Sequence, residues 1–166
     1  MPDRARVDEA EFKSAMRQVT SSVAVVTASF GNLRNGLTAT SVCSVTMEPP
    51  TMLVCINRKS RADALIAESR AFAINILADE QHKIARLFST SRIDAEERFV
   101  EGRWMTMTTG APVLEGAVAT FDCELESHVR SGSHHVYFGR VVAVSSFDQP
   151  ALLYRDGVFR RLAAIV

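Results

Sequence analysis

Short β-branched and apolar runs, each stopped by turn formers, follow one another down this chain, and helical segments do not separate them regularly. Residues 22–29 form the first run, and Gly31, Asn32, Asn35 and Gly36 punctuate it. Residues 37–46 are rich in Thr, Ser and Val. Their polar members are small, so a strand here can face a core and a ligand together. Pro49-Pro50 ends it. Residues 52–56 read as a short buried strand and 72–77 as another. In the last third, 117–127, 136–145, 152–154 and 158–162 are strands. Asp156-Gly157 marks a hairpin between the last two, because a tight turn needs positive φ there. A doubly wound parallel sheet would require regular strand–helix alternation. The pattern, about eight strands and about three helices, fits a mainly β, closed antiparallel barrel with helices packed outside.

The helices carry their own signals. Phe12, Ala15, Met16 and Val19 recur at helical spacing, and Asp8 with Glu11 forms a capping box, which predicts an amphipathic helix lying on something apolar. Ser60 caps a helix over 61–69 with Ala62, Leu65 and Ile66 inward. Asp79 caps the next, whose apolar face is Ile84, Leu87 and Phe88. Residues 92–110, polar apart from a few side chains such as Trp104, read as a surface excursion.

A chain of 166 residues fits one domain, here 1–166 with a core from about 12 to 162. Lys plus Arg balances Asp plus Glu, 19 against 19, so net charge points to no nucleic acid or anionic membrane. Three cysteines without a CxxC pair read as reduced thiols, with Cys43 and Cys55 buried in apolar runs. Met1-Pro2-Asp3-Arg4 lacks the apolar stretch of a signal peptide, and no run approaches the roughly 18 apolar residues of a membrane helix. A cytoplasmic protein is expected.

Several chemistries lack their motifs. There is no GxGxxG, no GxxxxGK[ST] and no GxSxG. His82, His128, His134 and His135 have no zinc-site spacing with the cysteines, so no metal is expected. The Glu96-Glu97 pair reads as solvated surface. Any redox chemistry is left to a bound organic cofactor.

Three segments then matter together: Gly36-Leu37-Thr38-Ala39-Thr40-Ser41-Val42-Cys43-Ser44-Val45 with Glu48-Pro49-Pro50; Val54-Cys55-Ile56-Asn57-Arg58-Lys59-Ser60-Arg61; and Ser131-Gly132-Ser133-His134-His135-Val136-Tyr137-Phe138-Gly139-Arg140-Val141. In this order they resemble the short-chain flavin reductase family, whose fold is the FMN-binding split barrel. The resemblance runs from about Phe12 to Leu162 and includes Ala111-Pro112-Val113-Leu114 and Leu152-Leu153-Tyr154.

The resemblance implies an NAD(P)H:flavin oxidoreductase, a homodimer, that supplies reduced FMN or FAD to a separate flavin-dependent monooxygenase. It places Thr38, Ala39, Thr40, Ser41, Val42, Ser44 and Val45 along the flavin ring, where small residues let backbone amides approach its polar edge. It places the flavin phosphate at Ser60 and Arg61, which suits a helix start and a guanidinium. Phe88 and Ser89 match a flavin-side position, Tyr154 a position near the nicotinamide, and His134 the catalytic histidine at the nicotinamide of NADH or NADPH. The family motif reads Gly-Asp-His, whereas this chain has Ser133 before His134. The serine removes a charge that would orient the ring or raise its pKa, leaving a neutral ring that can position the nicotinamide. Two other readings stay open: a retained-flavin reductase of another acceptor such as a corrinoid, and a flavin- or haem-binding barrel without turnover.

Overall fold

The computed structural model describes residues 7–165. In chain order its elements are α1 Glu9–Met16, β1 Ser21–Ser22, β2 Ala24–Phe30, β3 Leu33–Ala39, β4 Val42–Met47, β5 Pro50–Asn57, α2 Arg61–Ser69, β6 Ala71–Ile76, α3 His82–Ser89, β7 Trp104–Thr106, β8 Pro112–Leu114, β9 Ala119–Ser131, β10 His134–Ser146, β11 Leu153–Arg155 and β12 Val158–Arg160. Turns of 3₁₀ helix at Asp79–Gln81 and Glu96–Phe99 precede and follow α3.

Seven strands pair in the order β3-β2-β6-β9-β10-β5-β4, every pair antiparallel. β3 and β4 lie at opposite edges of this sheet, yet only Thr40 and Ser41 separate them in sequence. So short a link spans at most roughly 11 Å, so the sheet must curl until its edges meet. The split antiparallel barrel follows from that one short connection. A small sheet, β1-β11-β12, and a β7-β8 pair lie beside it.

The unbroken apolar run at 22–29 is explained by burial on both faces of β2. Ala24, Val26 and Ala28 point into the barrel core with Val54, Ile56, Leu65, Ile66, Phe72 and Tyr137. Val25, with Val23 just before the strand, faces outward into a second core with Leu77, Ile84, Phe88, Phe99 and Leu152. A large apolar side chain removed from water contributes roughly 1.5–3 kcal/mol, so the helix α3 is held on by its Ile84–Phe88 face.

Several expectations are corrected. The run 37–46 is two strands, because β3 loses its ladder partner where β2 begins, at the Ala24–Ala39 pair. Asp79 does not cap α3. Its carboxylate is held by Arg161 at 2.7 Å, and Gln81 instead accepts from the Ala78 amide at 2.9 Å. The Asp8–Glu11 capping box forms, but no residue of α1 is buried and Phe12 is 60% exposed, so a single chain does not cover that helix. Residues 92–110 are no mere surface excursion: Phe99 is buried and packs with Trp104 and Phe88 at centroid distances of 4.9–5.0 Å. Glu96 and Glu97 are exposed as expected, and Glu96 also takes a two-pronged bond from Arg34.

The cysteines also differ from expectation. All three are free, but Cys43 is exposed and Cys55 half-buried. Both lie on the outward face of β4 and β5, opposite the inward Val54 and Ile56. Only Cys123 is buried, and burial with the nearby Asp122 charge pushes its thiol up to about 12. Asp156 and Gly157 adopt positive φ, 51° and 79°, in the expected β11–β12 hairpin. Among the described residues no helix is long and apolar enough to cross a membrane.

Candidate functional site

β5 ends at Asn57, and the chain turns into α2 through Arg58, Lys59 and Ser60. Asn57 Oδ1 accepts from the Lys59 amide at 2.9 Å, and Ser60 Oγ accepts from the Ala62 amide at 3.0 Å. The expected cap of α2 is therefore present. In front of this turn lies a cavity of about 460 Å³. Its walls come from three places: Asn35, Gly36 and Leu37 of β3; residues 57 and 59–61; and the segment from Phe88 through Ile93 to Arg98.

Gly36 makes the wall possible. A Cβ there would sit 2.6 Å from the Val26 carbonyl and 2.8 Å from the Phe88 ring, so only glycine lets β3 lie against both. Phe88 is buried, wedged between Gly36 and the Phe99–Trp104 pair.

The electrostatics are one-sided. Among the described residues, Arg61, Lys59 and Arg98 line the cavity and no carboxylate does. Arg61 is exposed and in no salt bridge among the described residues. Arg98 Nη1 donates to the Leu87 and Phe88 carbonyls at 3.3 and 3.0 Å, which fixes its guanidinium at the end of α3. Its Nε is buried and has no acceptor among the described residues. Burial, and then the charge of Arg61, hold Arg98 below the ordinary arginine range. Three cations around one space without a facing carboxylate suit an anionic group. The volume suits part of an organic ligand.

The expected site residues distribute as follows. Ser60, Arg61, Phe88 and Ser89 line the cavity together. Thr38, Ala39, Thr40, Ser41, Val42, Ser44 and Val45 do not line it; they lead away from its rim at Leu37, across the β3–β4 crossing and along β4. Thr38 Oγ1 donates to the Ala85 carbonyl at 2.6 Å, and Ala39 is buried. Thr40, Ser41, Ser44 and Val45 are exposed. His134 opens β10 as the register partner of Asn57, a cavity residue, and Ser133 Oγ lies 2.9 Å from its Nδ1. Tyr154 stands apart on β11, against Phe159 at 6.0 Å. Arg98 was not expected at all. The one sequence signal for it is the Arg98-Phe99 step, a cation beside an aromatic inside a polar stretch.

A family model described as a flavin reductase like domain matches residues 16–163. An FMN reductase (NADH) RutF from Yersinia enterocolitica is 38% identical over 157 residues, which is 94% of this chain and 86% of that protein. A crystal structure from Haemophilus somnus 129PT, assigned as a flavin reductase, superposes with a TM-score of 0.91 at 38% identity, covering 94% of this chain and all of that one. BorF, the flavin reductase component of a bacterial two-component tryptophan halogenase, superposes with a TM-score of 0.86 at 29% identity over 95% of this chain and 100% of its own.

Proposed function

The chain belongs to the flavin reductase-like family and is an NAD(P)H-dependent flavin reductase, and from that premise we propose that it oxidises NADH and reduces FMN. The observation that carries the choice of ligand end is the Arg61–Arg98 pair over a cavity without carboxylates. A phosphate there would meet the Arg61 guanidinium and the Arg98 side chain on the cavity wall, at the start of α2, where the helix dipole favours an anion. FMN and NADH are the cofactors in the names of the RutF relatives.

When bound, the flavin supplies the chemistry, taking a hydride at N5 from C4 of the nicotinamide. The protein's residues hold and exclude. Ser60, Arg61 and Arg98 would hold the phosphate. Phe88 and Ser89, with the small residues of the 38–45 run, would flank the ring and keep its polar edge against backbone amides. His134 would position the nicotinamide, and Ser133 beside it supplies a hydrogen-bond partner rather than a charge. Rate comes mainly from keeping two rings in contact.

The direct test measures NADH and NADPH oxidation by absorbance, each with FMN or FAD. Turnover that rises with added FMN and prefers NADH is expected. No turnover with any pair would overturn the reading. His134→Ala is expected to raise the KM for NADH more than it weakens FMN binding.

Two finer statements complete the proposal. Reduced flavin is released to a separate flavin-dependent monooxygenase, a division of labour for which BorF, a component of a two-component system, is the support. The chain acts as a homodimer through the outward face of β4, β5, β9 and β10. There Cys43, Leu53, Cys55, Val129, Val136 and Phe138 form a contiguous apolar surface that a single chain leaves half-buried or exposed.

A further inference from the structure

We propose that Asp63 and His135 form a positioning pair, which holds the strand carrying His134 in place against the start of α2. The proposal rests on the reading of the cavity and of His134 given above.

Asp63 is the third residue of α2, where an acidic side chain ordinarily turns back to the helix's free amides. Here it turns the other way. Its carboxylate is almost buried, 12% exposed, and Oδ1 meets two groups of β10: the Tyr137 hydroxyl donates at 2.7 Å, and His135 Nδ1 lies at 2.8 Å. A carboxylate only accepts, so the proton of that contact sits on His135 Nδ1. Among the described residues, the bonds of Asp63 to His135 and Tyr137 are the side-chain hydrogen bonds joining α2 to β10.

The His135 ring has little freedom. His128 of β9 packs edge-on at 5.1 Å and Tyr137 at 5.6 Å. His134 follows the Gly132-Ser133 turn directly, and that turn carries no acid of its own. The Ser133 carbonyl accepts from the Arg58 amide at 3.0 Å, and His134 pairs with Asn57. Residues 57–63 thus touch the turn at one end through the backbone and β10 at the other through Asp63. Arg61 and Ser60 lie between these two anchors, on the cavity. Alternation puts His135 on the inward face and His134 on the opposite one, so a shift at His135 moves His134 without any contact between the two rings. Asp63 and His135 act through that backbone and touch no ligand.

The test measures KM for NADH, kcat, FMN affinity and thermal midpoint for wild type, His134→Ala, His135→Ala, Asp63→Ala, the double Asp63→Ala/His135→Ala, and His135→Asn. Each single alanine at 63 or 135 is expected to raise KM for NADH about tenfold, less than the roughly hundredfold that a misplacement of about 1 Å at a reacting site can cost. The double variant should lose no more than either single one, and His135→Asn, whose amide can still donate to Asp63, should recover most of the loss. If His135→Ala does not fold, His135→Gln displaces the donor while keeping a polar side chain, and the same rise in KM is expected of it. Lowered thermal midpoints with unchanged KM, or losses that add in the double variant, would overturn the pairing. His134→Ala with unchanged KM for NADH would instead remove the premise, and the inference with it, whatever happens at His135.

Discussion

At the scale of single residues, the site depends on a side chain whose role only the fold reveals. Arg98 lies in a stretch whose composition reads as solvent-facing, and no local periodicity marks it. Its meaning comes from Phe99, which anchors the segment on Phe88, and from the α3 carbonyls that grip its Nη1. Arg61 was legible because a serine cap and a cation at a helix start form a local pattern; Arg98 was not, because its partners are about ten residues away and bound by tertiary packing. If both hold the flavin phosphate, Arg61→Ala and Arg98→Ala should each weaken FMN binding by about 1.5–3 kcal/mol, the scale of a charged hydrogen bond. Riboflavin, which lacks the phosphate, should bind each variant as it binds the wild type. Fluorescence titration with the two ligands reads both numbers, and equal losses for FMN and riboflavin would assign the arginines to packing instead.

At the scale of elements, local chemistry read well and two-sided packing read poorly. The helix expected over 61–69 is observed with those bounds, since Ser60 and the Ala62, Leu65, Ile66 spacing are both local. The 37–46 run could not reveal its break, because the break is made by where another strand starts. Likewise nothing near Asn75 announces its task. Fully buried in β6, it accepts from the Leu114 amide at 2.8 Å and the Thr120 hydroxyl at 3.3 Å, and donates to the Val25 carbonyl at 3.1 Å. It therefore clips β8, and the 92–110 segment leading into it, onto the barrel. Asn75→Ala leaves the Leu114 amide buried and unpaired, which costs about 2–3 kcal/mol in urea unfolding. Gly36→Ala tests the opposite side of the same packing. A methyl forced between Val26 and Phe88 should cost about 1–3 kcal/mol and also lower FMN affinity, because Gly36 and Phe88 both line the cavity and cannot keep their places.

At the scale of the whole molecule, a single chain leaves apolar surface uncovered. The outward faces of β5 and β10 carry apolar residues that alternate with inward Val54, Ile56 and Tyr137, which are buried, and α1 presents Phe12 and Met16 to solvent. Thr40, Ser41, Ser44 and Val45, proposed above to flank the flavin, sit exposed beside this same face. A second copy placed there would cover the apolar surface and close the open side of the 38–45 run in one step. Cys43, exposed in the single chain, is the natural reporter. Leu53, its register partner, is half-buried on the same face, so Leu53→Glu introduces a charge into the contact without entering the barrel core. The wild type should sediment as a dimer with Cys43 slow to react with a thiol reagent. Leu53→Glu should sediment as a monomer, label quickly at Cys43 and bind FMN weakly. Cys123, buried and with its thiolate disfavoured, should stay unlabelled in both until the chain unfolds. A wild-type monomer that labels rapidly at Cys43 yet reduces FMN at full rate would show that one chain carries the whole site, and the uncovered face would then need no second copy to explain catalysis.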